Sequence, residues 1–320
     1  MADKHVPGRH AEYDRQDESP FRLGNLSLAR GEERDLGSHE GFRDWLMPVI
    51  TARNGQKRVE GTAVCVGPGA YITAGHVVAH LGRALNGTPN AWIARTKGSN
   101  DPDDPASSRG QMLAVDNYRS LGSADLASIG TSLPAGGDGH FAAVRWSLRM
   151  PKRNELVAIL GYPEGTAQWT WGGDTGSDPT DVVLEYPLRV GVGVVTAQQT
   201  SWALGGVRPS PGFETDAPMY SAMSGGAVLD QRGRLLGFAA TSTEPDEYPD
   251  WNGFVTLAGV AFQLEVDLAT PSGAKQKNVP VEALLDQFIP YDLDDTFQGK
   301  DPETGRPRYC LPDVDESPGC

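Results

Sequence analysis

The stretch TAVCVGPGAYITAGHVV, residues 62–78, contains two short apolar runs separated by the turn GPG at 67–69. Glycine and proline between two apolar, partly β-branched runs are typical of a hairpin, because these residues supply the backbone angles that a tight turn needs. His76 follows the second run, where the predicted strand ends in small residues. The stretch therefore predicts two paired strands that present a histidine at the rim of a sheet.

Similar runs recur along most of the chain, with turn residues between them. Many alternate or are rich in β-branched residues, and they follow one another at short intervals, which favours an all-β barrel or sandwich over helix-strand units. The clearest runs are WLMPVITA, AWIART, MLAVDNYR, DLASIGTSL, ELVAILGYP, VVLEYPLRVGVGVVTAQ, GGAVLD, RLLGFAAT and FVTLAGVAFQLEV.

The composition excludes several classes of partner. The chain has 320 residues, 38% of them hydrophobic, and its formal net charge is −14, from 28 basic and 42 acidic side chains. Nucleic acid and anionic membranes both need a positive surface, so we expect neither as a partner. The first twenty residues lack the apolar core of a secretory signal, and no apolar run approaches the length of a membrane span. We therefore expect a cytoplasmic protein.

Changes in amino-acid composition divide the chain into four parts. Residues 1–40 are charged and poor in β-branched residues, which predicts a mobile tail. The strand-like runs form two sets, over 41–138 and 139–290, divided by the glycine-rich PAGGDGH. The second set ends in VPVEALLDQFIP, residues 279–290, whose apolar spacing predicts a helix between two prolines. Residues 291–320 return to an acidic, proline-rich composition and read as a tail.

Three cysteines are too few for a disulfide-built scaffold. Cys65 lies in an apolar run and is interpreted as a small buried residue. Cys310 and Cys320 could pair in an oxidising setting, but we expect them to be exposed thiols. Their spacing does not suit a metal, and no CxxC or HExxH occurs, so we expect no metal site. The acidic DPDD at 101–104 could contribute to a calcium site, but solvated loop carboxylates are the more common outcome. No cofactor is expected.

Ser224, in MYSAMSGGAVLD at 219–230, is either a nucleophile or a small residue that fits a turn. A nucleophilic serine needs a base and a carboxylate that orients the base. Among the six histidines, His76 is the best candidate base, since it ends a predicted strand. His80, one turn later, would share a face with it if a short helix forms there. The others lie in the predicted tail or beside a glycine-rich linker: His5, His10, His39 and His140.

Two aspartates are candidates for the orienting carboxylate. Asp125, in SADLASIG, stands at the start of an alternating apolar run, so its side chain does not lie on a fully solvated face. Asp116, in AVDNYRS, lies inside a strand-like segment and is the alternative. The residues alone leave the choice open.

Taken together and in this order, the segments TAVCVGPGAYITAGHVV, SADLASIG and SAMSGGAVLDQRGRLLGF resemble the His, Asp and Ser segments of the trypsin-like serine proteases, particularly the bacterial members. The resemblance covers about residues 45–290. It implies an all-β fold of two antiparallel six-stranded β-barrels with a C-terminal helix. It also implies a serine endopeptidase in which Ser224 is the nucleophile, His76 the general base and acid, and Asp125 the orienting group.

The same resemblance assigns the remaining site residues. The backbone N–H groups of Ala222 and Ser224 would form the oxyanion hole. Pro218 would lie near the base of the specificity pocket, beside a strand that carries Ala239, Ala240 and Thr241. Because no carboxylate occupies the place of Pro218, we expect small or apolar side chains to be preferred over basic ones. The substrate is expected to be a protein or peptide.

Two departures from the family pattern concern activation. Ala222 stands where the family usually has glycine, so the oxyanion hole is hypothesised to be unformed at rest. Met223 stands where animal zymogens carry an aspartate that pairs with a new amino terminus, which disfavours activation by clipping the first 40 residues. The alternative function is a catalytically weak pseudo-protease that binds proteins. A regulatory protein partner is a further hypothesis. An esterase on another fold is disfavoured, since G-x-S-x-G is absent around Ser224.

Overall fold

The computed structural model of the chain describes the larger part of the sequence. The described residues are 20–24, 26–36, 40–53, 56–79, 81, 91–96, 110–132, 142–171, 179–184, 188–200, 211–243, 252–270, 274–285, 287–293 and 296–310. His5, His10, His39, His80, His140, Cys320 and the DPDD segment lie outside them. No helix in these ranges has the length and apolar character that crossing a membrane requires.

The secondary structure of the described residues is dominated by short strands. The strands are β1 Phe21–Leu23, β2 Leu26–Leu28, β3 Glu33–Asp35, β4 Leu46–Arg53, β5 Gln56–Gly67, β6 Ala70–Ala74, β7 Ala91–Thr96, β8 Gly110–Leu121, β9 Leu126–Thr131, β10 Trp146–Ser147, β11 Leu156–Gly161, β12 Gly165–Trp171, β13 Pro179–Leu184, β14 Arg189–Gln199, β15 Gly212–Thr215, β16 Ala227–Leu229, β17 Leu235–Thr243, β18 Asn252–Leu257, β19 Glu265–Ala269, β20 Lys275–Pro280, β21 Tyr291–Asp292, β22 Phe297–Lys300 and β23 Pro307–Tyr309. The helices are α1 Glu40–Arg43 and α2 Gly75–Ala79, and the 3₁₀ turns are Gly122–Ala124, Ala258–Gln263 and Val281–Leu284.

Six antiparallel strands close the first barrel in the order β5, β4, β7, β8, β9 and β6, and β6 pairs back onto β5. The hairpin predicted from residues 62–78 is β5 and β6, turning at Gly69 with a φ of +67°. Val49, Ile72, Ile93 and Ile129 are fully buried inside the barrel. Burial of one such side chain stabilises the folded state by about 1.5–3 kcal/mol, so the β-branched runs account for the core.

The second barrel closes in the same way from β16, β11, β14, β15, β18 and β17, with β17 paired back onto β16. Trp146 of β10 packs in its core, with its ring edge-on to Phe238 at a centroid distance of 5.7 Å. The prediction of an all-β fold with two six-stranded antiparallel barrels is confirmed. The first barrel holds the His76 and Asp125 segments, and the second holds Ser224.

The predicted C-terminal helix over 279–290 is wrong. Val279 and Pro280 end β20, which pairs with β19, and only Val281–Leu284 forms a single 3₁₀ turn. Val281, Leu284 and Ile289 are buried, so the apolar spacing correctly marks which residues face the core. A helix this short has little intrinsic stability, and strand pairing removes its first residues.

Part of each predicted tail packs against the barrels. In the stretch predicted to be mobile, residues 20–36 form β1, β2 and β3, and β3 pairs with β14 of the second barrel. Phe21, Leu28 and Leu36 are buried there. A few large apolar side chains are enough to anchor the segment, although the average composition of the first 40 residues is highly charged. In the other predicted tail, β21 pairs with β10, and β22 pairs with β23.

The cysteines differ in one respect from expectation. Cys65 is buried in β5, as predicted, and burial raises the pKa of its thiol to about 12. Cys310 is also buried, which corrects the expectation of an exposed thiol: its N–H donates to the Thr296 carbonyl at 2.9 Å, and the Gln298 amide donates a hydrogen bond to its sulfur at 2.7 Å. Within the described ranges, no three His, Cys, Asp or Glu side chains are grouped to hold a metal ion.

Candidate active site

His76 and Asp125 form the central pair of the candidate site. The imidazole Nδ1 lies 2.9 Å from the Asp125 Oδ2, and the backbone N–H of His76 donates to Oδ1 at 2.9 Å. Because the carboxylate accepts a hydrogen bond from Nδ1, this nitrogen carries the proton and the lone pair of Nε2 is left free. The His76 side chain is 46% exposed and the Asp125 side chain 26% exposed, so the pair is open to a ligand.

The pairing follows from strand register in the first barrel. Ala74 at the end of β6 lies opposite Leu126 at the start of β9, which places the next residues of both segments side by side. The N–H of Gly75 donates to the Asp125 carbonyl at 2.9 Å. A Cβ at position 75 would lie 3.0 Å from the Asp125 Oδ1, so a glycine permits the close approach.

Asp116, the alternative carboxylate, does not contact His76. Its side chain accepts a hydrogen bond from the Ser132 hydroxyl at 2.8 Å and forms an ion pair with Lys275. Of the two candidate aspartates, Asp125 is therefore the one in contact with His76. Asp125 itself adopts a φ of +48°, a left-handed conformation that aspartate tolerates better than most residues.

Ser224 lies in the turn before β16, where the first barrel holds it through the backbone. The N–H of Thr62 donates to the Ser224 carbonyl at 2.8 Å. A Cβ at Gly61 would lie 2.6 Å from both Val77 methyl groups and 3.2 Å from the Ser224 carbonyl oxygen. Val77 follows His76 directly, so the serine and the histidine segments pack on the same point of β5. The structure thus brings the three sequence-predicted residues to one region between the barrels.

The residues before Ser224 form a type II turn. The N–H of Met223 donates to the Tyr220 carbonyl at 3.0 Å, and Ala222 at the third position of the turn has a φ of +66°. This position normally takes glycine. Ala222 therefore adopts the left-handed conformation in spite of its methyl group, at a cost of about 1–2 kcal/mol. Within the described part of the chain, the amides of Ala222 and Ser224 donate no hydrogen bond.

The predicted pocket residues lie on the Ser224 side of the site. Pro218 is buried, and its carbonyl rests on β14, since a Cβ at Gly191 would lie 2.3 Å from that oxygen. Ala239 and Ala240 are buried in β17, and Thr241 is half-buried. The Ser242 hydroxyl donates to the Met219 carbonyl at 3.0 Å. The end of β17 and the Pro218 segment are therefore neighbours.

Thr62 is a residue that the sequence analysis missed. Its hydroxyl donates to the Ala222 carbonyl at 3.2 Å and accepts a hydrogen bond from the Tyr162 N–H at 2.8 Å. Its own carbonyl accepts from the Thr73 hydroxyl at 2.6 Å. Thr62 and Ala222 are 160 residues apart in sequence, and no local pattern marks a threonine in a strand as the partner of a distant turn.

Two closed six-stranded barrels, with a bonded His–Asp pair in the first and a serine turn of the second packed against it, define a protease of the two-barrel class. A family model described as the trypsin-like peptidase domain matches residues 61–238, which is more than half of the chain. The chain therefore belongs to the trypsin-like peptidase family. By class it is a serine protease, a hydrolase whose substrates are peptides or proteins.

Solved structures of similar fold include three proteases. The Rv3671c protease of M. tuberculosis, in an inactive form, is 16% identical with a TM-score of 0.41, over 68% of this chain and 85% of that one. The MamO protease domain of Magnetospirillum magneticum is 16% identical with a TM-score of 0.44, over 69% and 95%. A variant of the HtrA-type protease AlgW with a tripeptide is 18% identical with a TM-score of 0.44, over 69% and 58%. A search of curated proteins found no match.

Proposed function

We propose that the protein is a serine endopeptidase that cleaves peptide bonds through an acyl-enzyme on Ser224. The observation that carries the proposal is the 2.9 Å contact between His76 Nδ1 and Asp125 Oδ2, beside the backbone of the Ser224 turn. This contact leaves Nε2 of the imidazole as the base, and the carboxylate stabilises the imidazolium that forms when Nε2 takes a proton.

The reaction has two halves. Ser224 Oγ attacks the carbonyl carbon of the scissile bond while His76 Nε2 takes the hydroxyl proton, and the imidazolium then gives that proton to the leaving amine as the C–N bond breaks. In the second half, His76 takes a proton from water, the water oxygen attacks the acyl carbon, and the proton returns to Ser224 Oγ as the ester bond breaks. The products are a carboxylic acid and an amine.

The amides of Ala222 and Ser224 are the proposed oxyanion hole. Both belong to residues that are 8% exposed, and neither amide is used by another acceptor in the described residues. Donors that are not otherwise engaged can turn to the oxygen that becomes negative in the transition state, and the loss of one such donor lowers the rate by about 10²- to 10³-fold. The left-handed Ala222 is the residue on which this donor pair depends.

In the described residues the Ser224 hydroxyl and His76 are not joined by a hydrogen bond. Catalytic hydrogen bonds of free enzymes are often long and shorten when substrate binds, which agrees with an enzyme that completes its site on binding. A regulatory protein partner that favours the completed site is part of the proposal. For specificity we propose small or apolar side chains, since Pro218, Ala239 and Ala240 offer no charge.

A fluorophosphonate probe tests the proposal, because it reacts with a serine only when the base and the oxyanion hole act on it. We expect the wild-type chain to be labelled at Ser224 and Ser224→Ala to remain unlabelled. Ser221→Ala, which changes an exposed serine of the same turn, is the matched control and should be labelled like the wild type. Labelling that persists in Ser224→Ala would assign the nucleophile to another serine.

The second candidate function is a pseudo-protease that binds proteins, and the strain at Ala222 is the observation that favours it. If that strain keeps the donor from its place, wild-type protein stays unlabelled, and Ala222→Gly restores labelling. The binding module is supported if neither the wild type nor Ala222→Gly is labelled and if Ser224→Ala binds a peptide with the same affinity as the wild type.

A further inference from the structure

The segment formed by residues 20–36, called here the N-terminal segment, is built into the second barrel. Asp35 and Glu33 of β3 lie opposite Arg189 and Gly191 of β14. Beyond this pairing, the N–H of Gly31 donates to the Val192 carbonyl at 2.7 Å and the N–H of Val192 donates to the Glu32 carbonyl at 2.9 Å. The segment therefore pairs with the first part of β14, and the later part of the same strand pairs with β15.

Residues 216–220, called here the approach loop, cross the same part of β14. A Cβ at Gly193 would lie 2.2 Å from the backbone nitrogen of Ala217, and one at Gly191 would lie 2.3 Å from the Pro218 carbonyl oxygen. The loop thus rests directly on the strand, with no side chain between them. Its last residue, Tyr220, is also the first residue of the type II turn that contains Ala222.

The N-terminal segment contacts the approach loop at both ends. At the first end, the Arg30 guanidinium donates to Asp216 Oδ2, with 3.0 Å from Nε, and Asp216 Oδ1 accepts the Val194 N–H at 2.7 Å. At the other end, the Glu33 carboxylate is close enough to the Tyr220 hydroxyl to raise its pKa.

Arg189 completes the second contact. Its guanidinium carbon lies 4.9 Å from the centre of the Tyr220 ring, and its Nε donates to Asp35 at 2.8 Å. Burial, followed by the Glu33 carboxylate, raises the pKa of Tyr220 to about 12. The Tyr220 side chain is therefore held between a carboxylate of the segment and a cation of β14.

We propose that the N-terminal segment is an intramolecular clamp that positions the approach loop and, through Tyr220, the turn that carries Ala222 and Ser224. Arg30 and Glu33 are positioning residues, since they act through Asp216 and Tyr220 and do not reach the reacting atoms. The inference rests on the proposed function for its effect on rate, but the contacts it describes do not. It follows that the segment supports activity and is not an inhibitory tail.

The test compares full-length single variants. Arg30→Ala and Glu33→Ala each remove one contact, and Arg30→Lys and Glu33→Gln keep the charge or the hydrogen-bond acceptor. Arg34→Ala is the matched control, because Arg34 directly follows Glu33 on the exposed surface of the same segment and its side chain has no hydrogen bond or ion pair within the described residues. Two readouts are the rate of fluorophosphonate labelling and the hydrogen exchange of amides in 216–226.

We expect each alanine variant to label about two- to fivefold more slowly, the range for one partly exposed ion pair, and the double variant more slowly still. Exchange in 216–226 should rise in the same variants, the lysine and glutamine variants should recover, and Arg34→Ala should match the wild type. Unchanged labelling and exchange in the double variant, or equal changes in Arg34→Ala, overturn the clamp. If no phosphonate labels the wild type, the proposed function is refuted but the clamp is not. The hydrogen exchange of the variants then tests the clamp.

Discussion

The backbone N–H of Thr62 donates a 2.8 Å hydrogen bond to the carbonyl oxygen of Ser224, so a strand of the first barrel holds the serine of the second. The Thr62 hydroxyl adds a second link, to the Ala222 carbonyl, and is itself fixed by the Tyr162 N–H. The position of the serine turn against His76 therefore depends on one threonine as much as on the turn itself.

Thr62→Val is expected to slow labelling of Ser224 by about tenfold, because valine keeps the shape of threonine but leaves the buried Tyr162 N–H without its acceptor, at a cost of about 1–3 kcal/mol. Labelling rates and urea unfolding curves measure both effects. Thr51→Val is the control, since its hydroxyl bonds Glu60 within the first barrel. Equal rates for the two variants would contradict the role given to Thr62.

Asp125→Asn is expected to lower peptide hydrolysis by about 10⁴-fold with little loss of stability, because an amide can hold the imidazole in the wrong tautomer and does not stabilise its charged form. The initial rate on a peptide substrate and the thermal unfolding midpoint check this. Asp116→Asn, at a carboxylate that contacts Ser132 and Lys275, should keep wild-type activity. A loss shared by both variants would mean that Asp125 is not the orienting carboxylate.

Ala222→Gly is expected to leave the free energy of unfolding unchanged or to raise it by up to about 1 kcal/mol, since glycine removes the strain at a φ of +66°. Ala269→Gly, at an equally buried position on β19, should instead destabilise the protein. Urea denaturation measures both. If Ala222→Gly lowers stability as much as Ala269→Gly, the left-handed conformation of Ala222 is wrong.

Gly225→Ala is expected to destabilise the protein by about 2–4 kcal/mol, because the added methyl group would lie 2.2 Å from the Thr62 carbonyl and from the Thr73 hydroxyl at a φ of +81°. Gly299→Ala has a similar φ of +84° and open space, so it isolates the backbone strain of about 1 kcal/mol. Denaturant midpoints of the two variants check the difference. Equal midpoints would show that the contact with the first barrel is looser than described.

Above pH 9 the buried thiol of Cys65 should make stability fall with pH. Its pKa is raised from 9.0 to about 12 by burial, so the unfolded chain loses the proton first and the folded state is disfavoured progressively between these values. The stabilising contribution is complete below pH 9 and is lost as pH rises toward 12. Unfolding free energies from pH 8 to 11 should decline more steeply for the wild type than for Cys65→Ala. Parallel profiles would contradict this.

The pattern of apolar runs predicts an all-β barrel or sandwich, and the resemblance of three segments to the trypsin-like serine proteases implies the two barrels and the region of the site. Strand formation depends on alternating and β-branched runs, and the hairpin of residues 62–78 depends on its own glycine turn, so both can be read locally. The helix expected over 279–290 does not form, because its first residues pair with β19. The composition of residues 20–36 predicts a mobile tail, but the segment pairs with β14 and a few of its side chains are buried.

Only the tertiary structure shows the contacts between residues that are far apart in the sequence. The sequence determined that His76 ends a strand, that two aspartates are available and that Ser224 lies in a turn, since these are properties of neighbouring residues. The contact of Asp125 with His76, the link from Thr62 to Ala222 across 160 residues and the pairing of Arg30 with Asp216 across 186 residues are visible only in the closed barrels. Such contacts depend on strand register and barrel closure, in which each residue is placed by strands that lie far from it in sequence.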